Sequence, residues 1–542
     1  MRACRVGLLS LLTLFGIQAV AHAQLATLLK DIRPTQWSAA SDPVFLGSVD
    51  GLTYFSATAA GIGRELWTTD GTPEGTLLFD DRCPGTCGSV YIALGIANDH
   101  LFLARRTDYI TGNIIELRAV GGNPPSALTV LQTSNGIYLQ HLALPGWSTV
   151  LPDRFVAWVS ATSGPWPLMA TDGTSDTPTV ALTLPDGASK SGLHRVGSRA
   201  YFWVYGVAAR AELWSTDGTP AATHLETAFD ISVGEPAVAV GNDRLVFLGG
   251  NGDRMELWGF DTSTRLARRL VAFPEGTERI LRMEASDSYA FVMVDGTSGQ
   301  ELWATDGTPS GTRVVTSFGF PQPFGDSDLS ITLHTAADRA YFFATDGVGP
   351  VRLWVSAGSP ATTGALTDIC DDTTCFEDSW IDSVDAQVFF LRESPDTGIE
   401  VWTTDGTAGG TRILLDACPG PCPGFGQVIA SGDGRLTYGA NDVASYRPVP
   451  FVATAPWTTA TSLFDPVRDA PALDPNQLTS GIADGPIHYF GAYDTGQGIE
   501  PWVSRGTAGS SLLLADIAGP YDASSAPHGF AVSGDTVAFV AE

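Results

Sequence analysis

Tryptophan and acidic residues recur at fixed spacing along the chain, and they are the first candidates for chemistry. Residues 65–76 read ELWTTDGTPEGT, and close copies begin at positions 212, 301 and 400. Each string carries a Glu, a Trp two residues later and an Asp three residues after that. Paired carboxylates can cleave glycosidic bonds, and indoles can stack on sugars. Because the same residues return in most modules, we predict structural roles for them: packing for Trp, hydrogen bonds between modules for Glu, and turn formation for Asp.

The repeated candidates fall into three sets. The tryptophans at the repeat anchor are Trp67, Trp214, Trp258, Trp303, Trp354, Trp402 and Trp502. The glutamates two residues before the anchor are Glu65, Glu116, Glu212, Glu256, Glu301, Glu400 and Glu500. The aspartates that open the DGT turns are Asp70, Asp172, Asp217, Asp306 and Asp405, with Asp261 in a divergent copy.

Calcium binding is the alternative interpretation of the acidic residues, because Ca²⁺ requires several convergent oxygen ligands. Two further acidic clusters are weak metal candidates and are interpreted first as solvated loops: Asp326 with Asp328, and Asp368 with Asp371 and Asp372. The sequence contains no EF-hand loop, H-E-x-x-H, G-x-S-x-G, P-loop or dinucleotide fingerprint. It therefore predicts no cofactor, leaves calcium open, and favours a protein that is not an enzyme.

Six cysteines follow residue 23, in three close pairs: Cys83 with Cys87, Cys370 with Cys375, and Cys418 with Cys422. An even number of cysteines in an exported chain predicts disulfides. Each pair closes a short loop, so each disulfide is expected to contribute only roughly 2 kcal/mol. Zinc binding or redox chemistry is the alternative, and a zinc site would require two pairs to converge.

The N-terminus predicts export. Arg2 and Arg5 precede an apolar stretch, and Ala21-His22-Ala23 supplies a cleavage site of small residues. A membrane anchor is the alternative, but the apolar stretch is shorter than the ~20 residues of a spanning helix. We predict a signal peptide over residues 1–23 and a mature chain over 24–542, located outside the cell, at its surface or in the periplasm. No later segment is predicted to span a membrane.

The chain is strongly acidic. Its 59 Asp and Glu residues outnumber its 30 Lys and Arg residues, which gives a formal net charge of −29. Cleavage would remove two arginines and no acid, which makes the mature charge −31. Nucleic acid and anionic membrane surfaces would be repelled, so neither is a predicted partner. A hydrophobic content of 44% with 16% charged residues argues against a disordered chain.

Ten copies of the string organise the mature chain. With the Trp position as anchor they fall at 67, 118, 169, 214, 258, 303, 354, 402, 451 and 502, a spacing of 44 to 51 residues. Each unit predicts four short strands: two apolar or alternating runs, the ELW string, and a run after the DGT turn. Leu66 and Trp67 point to opposite faces of one strand and both are large and apolar, which predicts packing on both faces. The sequence thus predicts an all-β fold, a β-propeller-like array of about ten four-stranded antiparallel blades in one large ring or two tandem rings.

The two ends of the mature chain resemble complementary parts of a blade. Residues 24–32 are similar to the fourth strand predicted at 511–517, while 529–532 and 536–540 are similar to first and second strands. We expect these ends to close a ring together, in a blade that lacks an ELW strand.

The repeat resembles that of the ELWxxDGT, or hyalin-like, repeat proteins of exported bacterial origin. The resemblance covers nearly all of the mature chain and is carried by the four near-complete copies that begin at 65, 212, 301 and 400. It implies secretion and a propeller-like fold, and it implies no reaction and no site residues.

Three functions remain as hypotheses. The first is a non-enzymatic exported scaffold that binds a protein or glycan at the cell surface through loops on a rigid frame, with the loops near 107–113, 318–328 and 465–478 as candidates. The second is a calcium-dependent adhesin or matrix protein. The third is a polysaccharide hydrolase or lyase, which would gather Asp, Glu, Arg or Tyr with shifted pKa values on the innermost strands.

Overall fold

The computed structural model describes residues 44–541 of the 542-residue chain, apart from positions 60, 71, 73, 108–113, 123–124, 133–136, 140, 162–165, 208–209, 252–253, 278, 297–298, 319–331, 345–349, 371–379, 418, 421–424, 433, 443–446, 463–478, 486, 495–497, 507–510, 516, 518–523 and 534–535. The predicted signal peptide and the strand predicted at 24–32 therefore lie outside the described residues. So do most of the three candidate loops.

Almost all regular structure in the described residues is antiparallel β-sheet, arranged in consecutive four-stranded blades. Within that part of the chain, no helix is long and apolar enough to cross a membrane. Blade 1 contains β1 (Val44–Val49), β2 (Leu52–Ala59), β3 (Gly63–Thr69) and β4 (Leu77–Asp80); blade 2 contains β5 (Ser89–Ala97), β6 (His100–Thr107), β7 (Ile114–Gly121) and β8 (Ser126–Gln132). After β9 (Ile137–Tyr138), blade 3 contains β10 (Ser148–Leu151), β11 (Arg154–Trp158), β13 (Pro167–Thr171) and β14 (Thr179–Thr183), with β12 (Ser160–Ala161) pairing with β9.

The next blades follow the same order. Blade 4 contains β15 (Ser189–Lys190) and β16 (His194–Val196), then β17 (Arg199–Val207), β18 (Arg210–Thr216) and β19 (His224–Phe229). Blade 5 contains β20 (Ser232–Val240), β21 (Arg244–Asn251), β22 (Arg254–Asp261) and β23 (Leu266–Ala272); blade 6 contains β24 (Arg279–Ala285), β25 (Ala290–Gly296), β26 (Gly299–Thr305) and β27 (Arg313–Phe318). Blade 7 contains β28 (Leu333–Ala336), β29 (Arg339–Ala344), β30 (Arg352–Ser356), the 3-10 turn Pro360–Thr362 and β31 (Thr363–Asp368).

Three blades and a hairpin complete the chain. Blade 8 contains β32 (Ile381–Val384), β33 (Gln387–Ser394), β34 (Gly398–Thr404) and β35 (Arg412–Ile413). Blade 9 contains β36 (Phe425–Gly432), β37 (Arg435–Asp442), β38 (Arg447–Thr454) and β39 (Ala460–Ser462); blade 10 contains β40 (Thr479–Asp484), β41 (Ile487–Asp494), β42 (Gly498–Ser504) and β43 (Leu512–Leu513). The closing hairpin contains β44 (His528–Ser533) and β45 (Thr536–Val540).

The blades form a single ring. The first strand of each blade contacts the first strand of the next, from β1 through β40 to β44, and β44 contacts β1. The first strands are therefore innermost. The prediction of a β-propeller with about ten blades is confirmed, and two tandem rings are ruled out. The differences from ten regular blades are that the first strand of blade 4 is split into β15 and β16, and that the closing module has two described strands.

All ten repeat strings form the third strand of a blade, where both faces are covered by neighbouring sheets. In seven blades a β-bulge interrupts the pairing of the third and fourth strands at the anchor, with the extra residue in the fourth strand, as Val315 is opposite Leu302 and Trp303. A bulge kinks the strand and increases its twist. Because both faces of a blade are covered, the hydrophobic core lies between the blades. For example, Trp203 and Leu213 of blade 4 pack with Phe247 of blade 5.

Two DGT turns are bonded to an arginine of the preceding blade. Arg244, at the start of β21 in blade 5, donates from Nη1 to the carbonyl oxygen of Asp306 in blade 6 at 2.5 Å. Arg339 of blade 7 makes the same bond to Asp405 of blade 8 at 2.6 Å. Gly307 has φ +83°, and a Cβ atom there would lie 2.8 Å from the Arg244 side chain. The glycine of the turn thus permits both the turn and the close approach of the arginine.

Candidate functional site

The repeated tryptophans lie in the seams between blades. Trp67, Trp303 and Trp502 are buried, and Trp214, Trp258, Trp354 and Trp402 are half-buried. Three of them meet a phenylalanine of the preceding blade edge to face: Trp258 with Phe229, Trp303 with Phe273, and Trp354 with Phe318, at centroid distances of 5.5, 5.3 and 5.1 Å. Each phenylalanine stands fifteen residues after the preceding anchor.

The repeated glutamates accept hydrogen bonds in two ways. Glu212, Glu256 and Glu301 each accept a bond from the indole Nε1 of the anchor tryptophan two residues later, at 2.9 to 3.0 Å. Glu65 and Glu500 are fully buried and hold the crossing to the next module instead. Glu65 accepts from the Arg82 backbone N–H and the Ser89 hydroxyl, and Glu500 accepts from the backbone N–H of Ile517 and the hydroxyl of Ser525. Both sets of bonds engage the carboxylates within the frame.

The repeated aspartates close turns. Oδ1 of Asp306 accepts from the backbone N–H and the hydroxyl of Thr308 at 2.8 and 2.7 Å, and Asp70, Asp172, Asp217 and Asp405 make the same pair of bonds to the threonine two residues on. Hydrogen bonds from Thr72 lower the pKa of the Asp70 carboxyl, and those from Thr174 do so for Asp172. This is the geometry of an Asx turn.

Of the weak metal candidates, the structure describes only Asp368. Asp368 pairs with Arg352, whose Nε atom lies 2.9 Å from Oδ1. Asp326, Asp328, Asp371 and Asp372 lie outside the described residues. Within the described ranges, no three His, Cys, Asp or Glu side chains are grouped so as to hold a metal ion.

One predicted disulfide is confirmed, that between Cys83 and Cys87 at the crossing from blade 1 to blade 2. Cys370 is buried and disulfide-bonded. Its predicted partner Cys375 lies outside the described residues, so the pairing of Cys370 with Cys375 stays a prediction.

The third predicted disulfide, between Cys418 and Cys422, cannot be compared with the structure. Both Cys418 and Cys422 lie outside the described residues, in the segment that leads from blade 8 to blade 9. The bond between Cys418 and Cys422 therefore stays a prediction, and only the first of the three pairs is confirmed in full.

The seam between blades 1 and 2 contains charges in place of rings. Arg118 occupies the anchor position of blade 2, is 1% exposed, and forms an ion pair with Asp80 of blade 1. Its Nη1 atom also lies 3.3 Å from Glu116, which accepts a bond of 2.6 Å from Arg82 and lies 3.3 Å from Arg105. Burial opposes ionisation of Glu116, but the bond from Arg82 and the charges of the arginines together hold its pKa below the usual range. These groups satisfy one another inside the seam.

A different cluster lies at the start of the inner strands of blades 3 and 4. The Nζ atom of Lys190, in β15, lies 3.3 Å from the ring centroid of Trp147 and 5.6 and 5.9 Å from those of Trp158 and Trp166. We call these four residues the Lys190 cage. Trp158 is fully buried, whereas Lys190, Trp147 and Trp166 are half-buried. The amine is therefore held against indole faces while one side of the cage reaches solvent.

Polar side chains stand beside the cage. The His141 ring packs against Trp147 at a centroid distance of 4.3 Å, with the two ring planes tilted by 30°. Glu235, in β20 of blade 5, is exposed and accepts a bond of 2.8 Å from the Gly192 backbone N–H; His194 Nε2 lies 3.4 Å from the same oxygen. Gly192 lies in the break between β15 and β16, so the split first strand of blade 4 brings Glu235 to this site.

Burial among the indoles lowers the pKa of Lys190 to about 8, an effect that the charge of Glu235 opposes. Burial raises the pKa of Tyr205 to about 12, and burial with the nearby Lys190 charge lowers the pKa of His141. The close approach of His194 lowers the pKa of Glu235. No described hydroxyl or thiol in the cluster is paired with a base as a nucleophile would be. The arrangement offers aromatic surface, one cation and one exposed carboxylate, which suits binding.

Sequence reasoning from the repeat missed this cluster, because none of its members stands at a repeat position. Two signals in the sequence mark it. Trp147, Trp158 and Trp166 fall within twenty residues, next to a copy whose anchor is Met169 instead of Trp. Lys190 is one of only two lysines among the 30 basic residues, the other being Lys30.

Comparison with known proteins adds only remote likenesses. No family model and no curated protein matches the chain. A prolyl endopeptidase structure matches at 10% identity over 68% of this chain and 55% of its own, with a TM-score of 0.33. The β-propeller domain of the trilobed protease from Pyrococcus furiosus matches at 10% identity over 61% of this chain and 99% of its own (TM-score 0.27), and an oligogalacturonate lyase in complex with manganese at 14% identity over 58% and 90% (TM-score 0.28).

This chain spans about half the length of the endopeptidase that it matches. At these scores the likenesses carry no argument about activity, and the assignment of the fold rests on the sheets of this chain.

Proposed function

We propose that this chain is an exported, non-enzymatic β-propeller scaffold that binds a protein or glycan at the cell surface. The observation that carries the proposal is the difference in position between the repeated and the non-repeated side chains. The repeated Trp, Glu and Asp residues are engaged in seams, crossings and turns, whereas the irregular polar and aromatic groups gather at the Lys190 cage. Sites of this kind are built on the exposed parts of rigid frames.

Export and family membership are part of the proposal. The signal-peptide pattern of residues 1–23 and the disulfide between Cys83 and Cys87 support an oxidising compartment. The placement of all ten repeat strings as third strands supports membership of the ELWxxDGT repeat proteins, because one sequence pattern then serves one structural position.

The experiment is a pull-down with the purified mature chain against isolated cell envelopes and an array of protein and polysaccharide ligands. We expect saturable binding to a defined ligand, with no change in that ligand on incubation. Absence of any saturable ligand on envelopes or array would contradict the proposal. The same test with EGTA examines the calcium-dependent adhesin, which would lose binding when the ion is removed.

A polysaccharide hydrolase or lyase is the second candidate. It is favoured by one observation: titratable groups from β15, β17 and β20 with shifted pKa values, Lys190, Tyr205 and Glu235, meet near the inner strands. An assay for new reducing ends and for unsaturated products, run on every polysaccharide that binds, separates the two. Product formation that scales with protein concentration would show that the chain is an enzyme and would contradict the proposal of a non-enzymatic scaffold.

A further inference from the structure

The Lys190 ammonium lacks a polar partner in the part of the chain that the structure describes. No described carboxylate or hydrogen-bond acceptor pairs with its Nζ atom, and its contacts there are the three indoles. An ammonium group has three donors, and those on the open side of the cage are accessible to an acceptor. Among the described residues, the cage therefore presents a cation that can pair with an acceptor of a ligand.

The choice of lysine at this position is itself informative. Of the two lysines, only Lys190 lies within the described blades, where every other basic side chain except histidine is an arginine. Arginine provides the flat fork that satisfies the buried carboxylates of the seam between blades 1 and 2. Lysine provides a compact point charge on a flexible stem, which pairs with a single anionic group.

The residues around Lys190 restrict the chemical class of the ligand. Trp147 and Trp166 offer half-exposed indoles, and apolar ring faces such as those of pyranose sugars pack well on them. Glu235 and His194 lie beside them as hydrogen-bonding groups for hydroxyls. The nearest charge acting on Lys190 is the negative charge of Glu235, which disfavours a dianion such as a phosphate ester.

We propose that the Lys190 cage binds a saccharide that carries a carboxylate, with the carboxylate on the Lys190 ammonium and a sugar ring against Trp166. This inference rests on the proposed binding function and specifies its site and ligand class. The lowered pKa of Lys190 fits the same geometry, because pairing with a carboxylate restores the charged form that burial disfavours. Affinity is accordingly expected to fall as pH rises above about 8.

The scarcity of lysine permits a direct test by footprinting. The full mature chain is methylated with formaldehyde and cyanoborohydride in the presence of an oligomer of a uronic acid, a neutral oligosaccharide of equal length, or a sulfated one. Mass spectrometry then reads the modification of Lys190, with Lys30 and the N-terminal amine as internal controls. We expect the uronic acid oligomer alone to slow methylation of Lys190 severalfold, with the two control amines unaffected.

Calorimetric titration of variants with the uronic acid oligomer completes the test. We expect Lys190→Met and Trp166→Ala each to raise Kd at least tenfold, and Lys190→Arg to retain part of the affinity. Arg210→Met is the matched control: it removes an exposed cation of the same blade, paired with Asp230, and is expected to leave Kd unchanged. Circular dichroism and the melting temperature confirm that each variant is folded.

The remaining outcomes overturn the inference. Equal affinity for the neutral oligomer, or preference for the sulfated one, would refute the ligand class. Saturable envelope binding that Lys190→Met leaves intact would refute the site and keep the proposed function. If neither the oligomers nor the envelopes bind, both proposals fail.

Discussion

Two seams of the ring solve the same packing problem with opposite chemistry. Between blades 5 and 6, Phe273 and Trp303 meet edge to face at 5.3 Å, and Glu301 accepts the indole N–H. Between blades 1 and 2 the same two repeat positions hold Arg82 and Arg118, with Glu116 in the place of Glu301. Both rings have been exchanged for guanidinium groups, and the carboxylate that served the indole now serves the arginines.

The comparison indicates what a seam requires. The position must be filled and its polar atoms must be paired, but the filling can be apolar or ionic. An aromatic seam is stabilised by the apolar surface area that it removes from water and by the edge-to-face arrangement of its rings. The charges of a buried ionic network lose their hydration, and their attraction to one another offsets that cost. The net contribution of the network to the free energy of unfolding is therefore small, whereas removal of one member is strongly destabilising.

The largest effect is expected from the aromatic seam. Trp303→Ala removes the ring from Phe273 and leaves Glu301 without its donor, at a cost of about 3–5 kcal/mol in the free energy of unfolding. Trp303→Phe, which keeps most of the apolar volume, is the control and should cost much less. Urea denaturation measures both. An unaltered unfolding midpoint in Trp303→Ala would show that the anchor ring does not hold the seam.

The ionic seam is expected to respond nearly as strongly to the loss of one charge. Arg118→Met retains apolar volume but leaves Asp80 and Glu116 short of a cation, at a cost of about 3 kcal/mol. The exposed pair of Arg210 with Asp230 provides the control, since Arg210→Met should cost less than about 1 kcal/mol. Equal effects of the two variants would mean that the buried network is not held more tightly than a surface pair.

Restoring the aromatic pattern sharpens the comparison. The triple variant Arg82→Phe, Arg118→Trp, Asp80→Leu replaces the arginines by the rings of the blade 5–6 seam and removes the partnerless acid. Replacement of a buried ionic network by apolar groups of similar volume is often neutral or stabilising. We expect an unfolding free energy within about 1 kcal/mol of the parent chain, measured by urea denaturation. A loss as large as that of Arg118→Met would show that this seam depends on its charges.

Lowering the pH should reduce the difference in stability between the parent chain and the Glu116→Gln variant. The pKa of Glu116 is lowered in the folded state, so its charge stabilises the fold above the unfolded pKa, and this stability is lost as pH falls through the folded pKa. Glu116→Gln should therefore be less stable than the parent chain at neutral pH and converge on it in acid. Thermal unfolding at a series of pH values measures the convergence. A gap that stays constant with pH would mean that the charge of Glu116 is not what stabilises the seam.

The repeat made the fold predictable, because most blades carry the same types of residue at the same positions. The strings at 65, 212, 301 and 400 predicted third strands packed on both faces, and the structure places all ten copies there. The single ring was not predictable, since closure depends on contacts between β44 and β1, which are distant in sequence. The split of the first strand of blade 4 was also missed, because Ser191 and Gly192 carry no pattern that distinguishes a break from a bulge.

The candidate site was harder to predict for a physical reason. A repeat shows what the blades share, whereas Lys190, Trp147 and Glu235 are brought together by three different blades at positions outside the repeat. The ionic seam was closer to prediction. The anchor at 118 was already a divergent copy, and Arg82 stands fifteen residues after Trp67, where blades 4, 5 and 6 have phenylalanine. Aligning the repeats at that position as well as at the anchor would have shown the paired exchange.

The smallest effect is expected at the turns, and it should not depend on the seam. Asp306 of blade 6 and Asp172 of blade 3 make the same two bonds to a threonine, although blade 3 has Met169 at the anchor and blade 6 has Trp303. Replacement of either aspartate by alanine should lower the unfolding free energy by about 1 kcal/mol, with exposed Asp186→Ala as the control. If Asp306→Ala costs several times more than Asp172→Ala, the turn and the aromatic seam are coupled, as neighbouring groups in contact can be. Equal losses in unfolding free energy would mean that the turn stabilises only its own blade. The residues of a seam could then change in one blade without altering the turns that flank it.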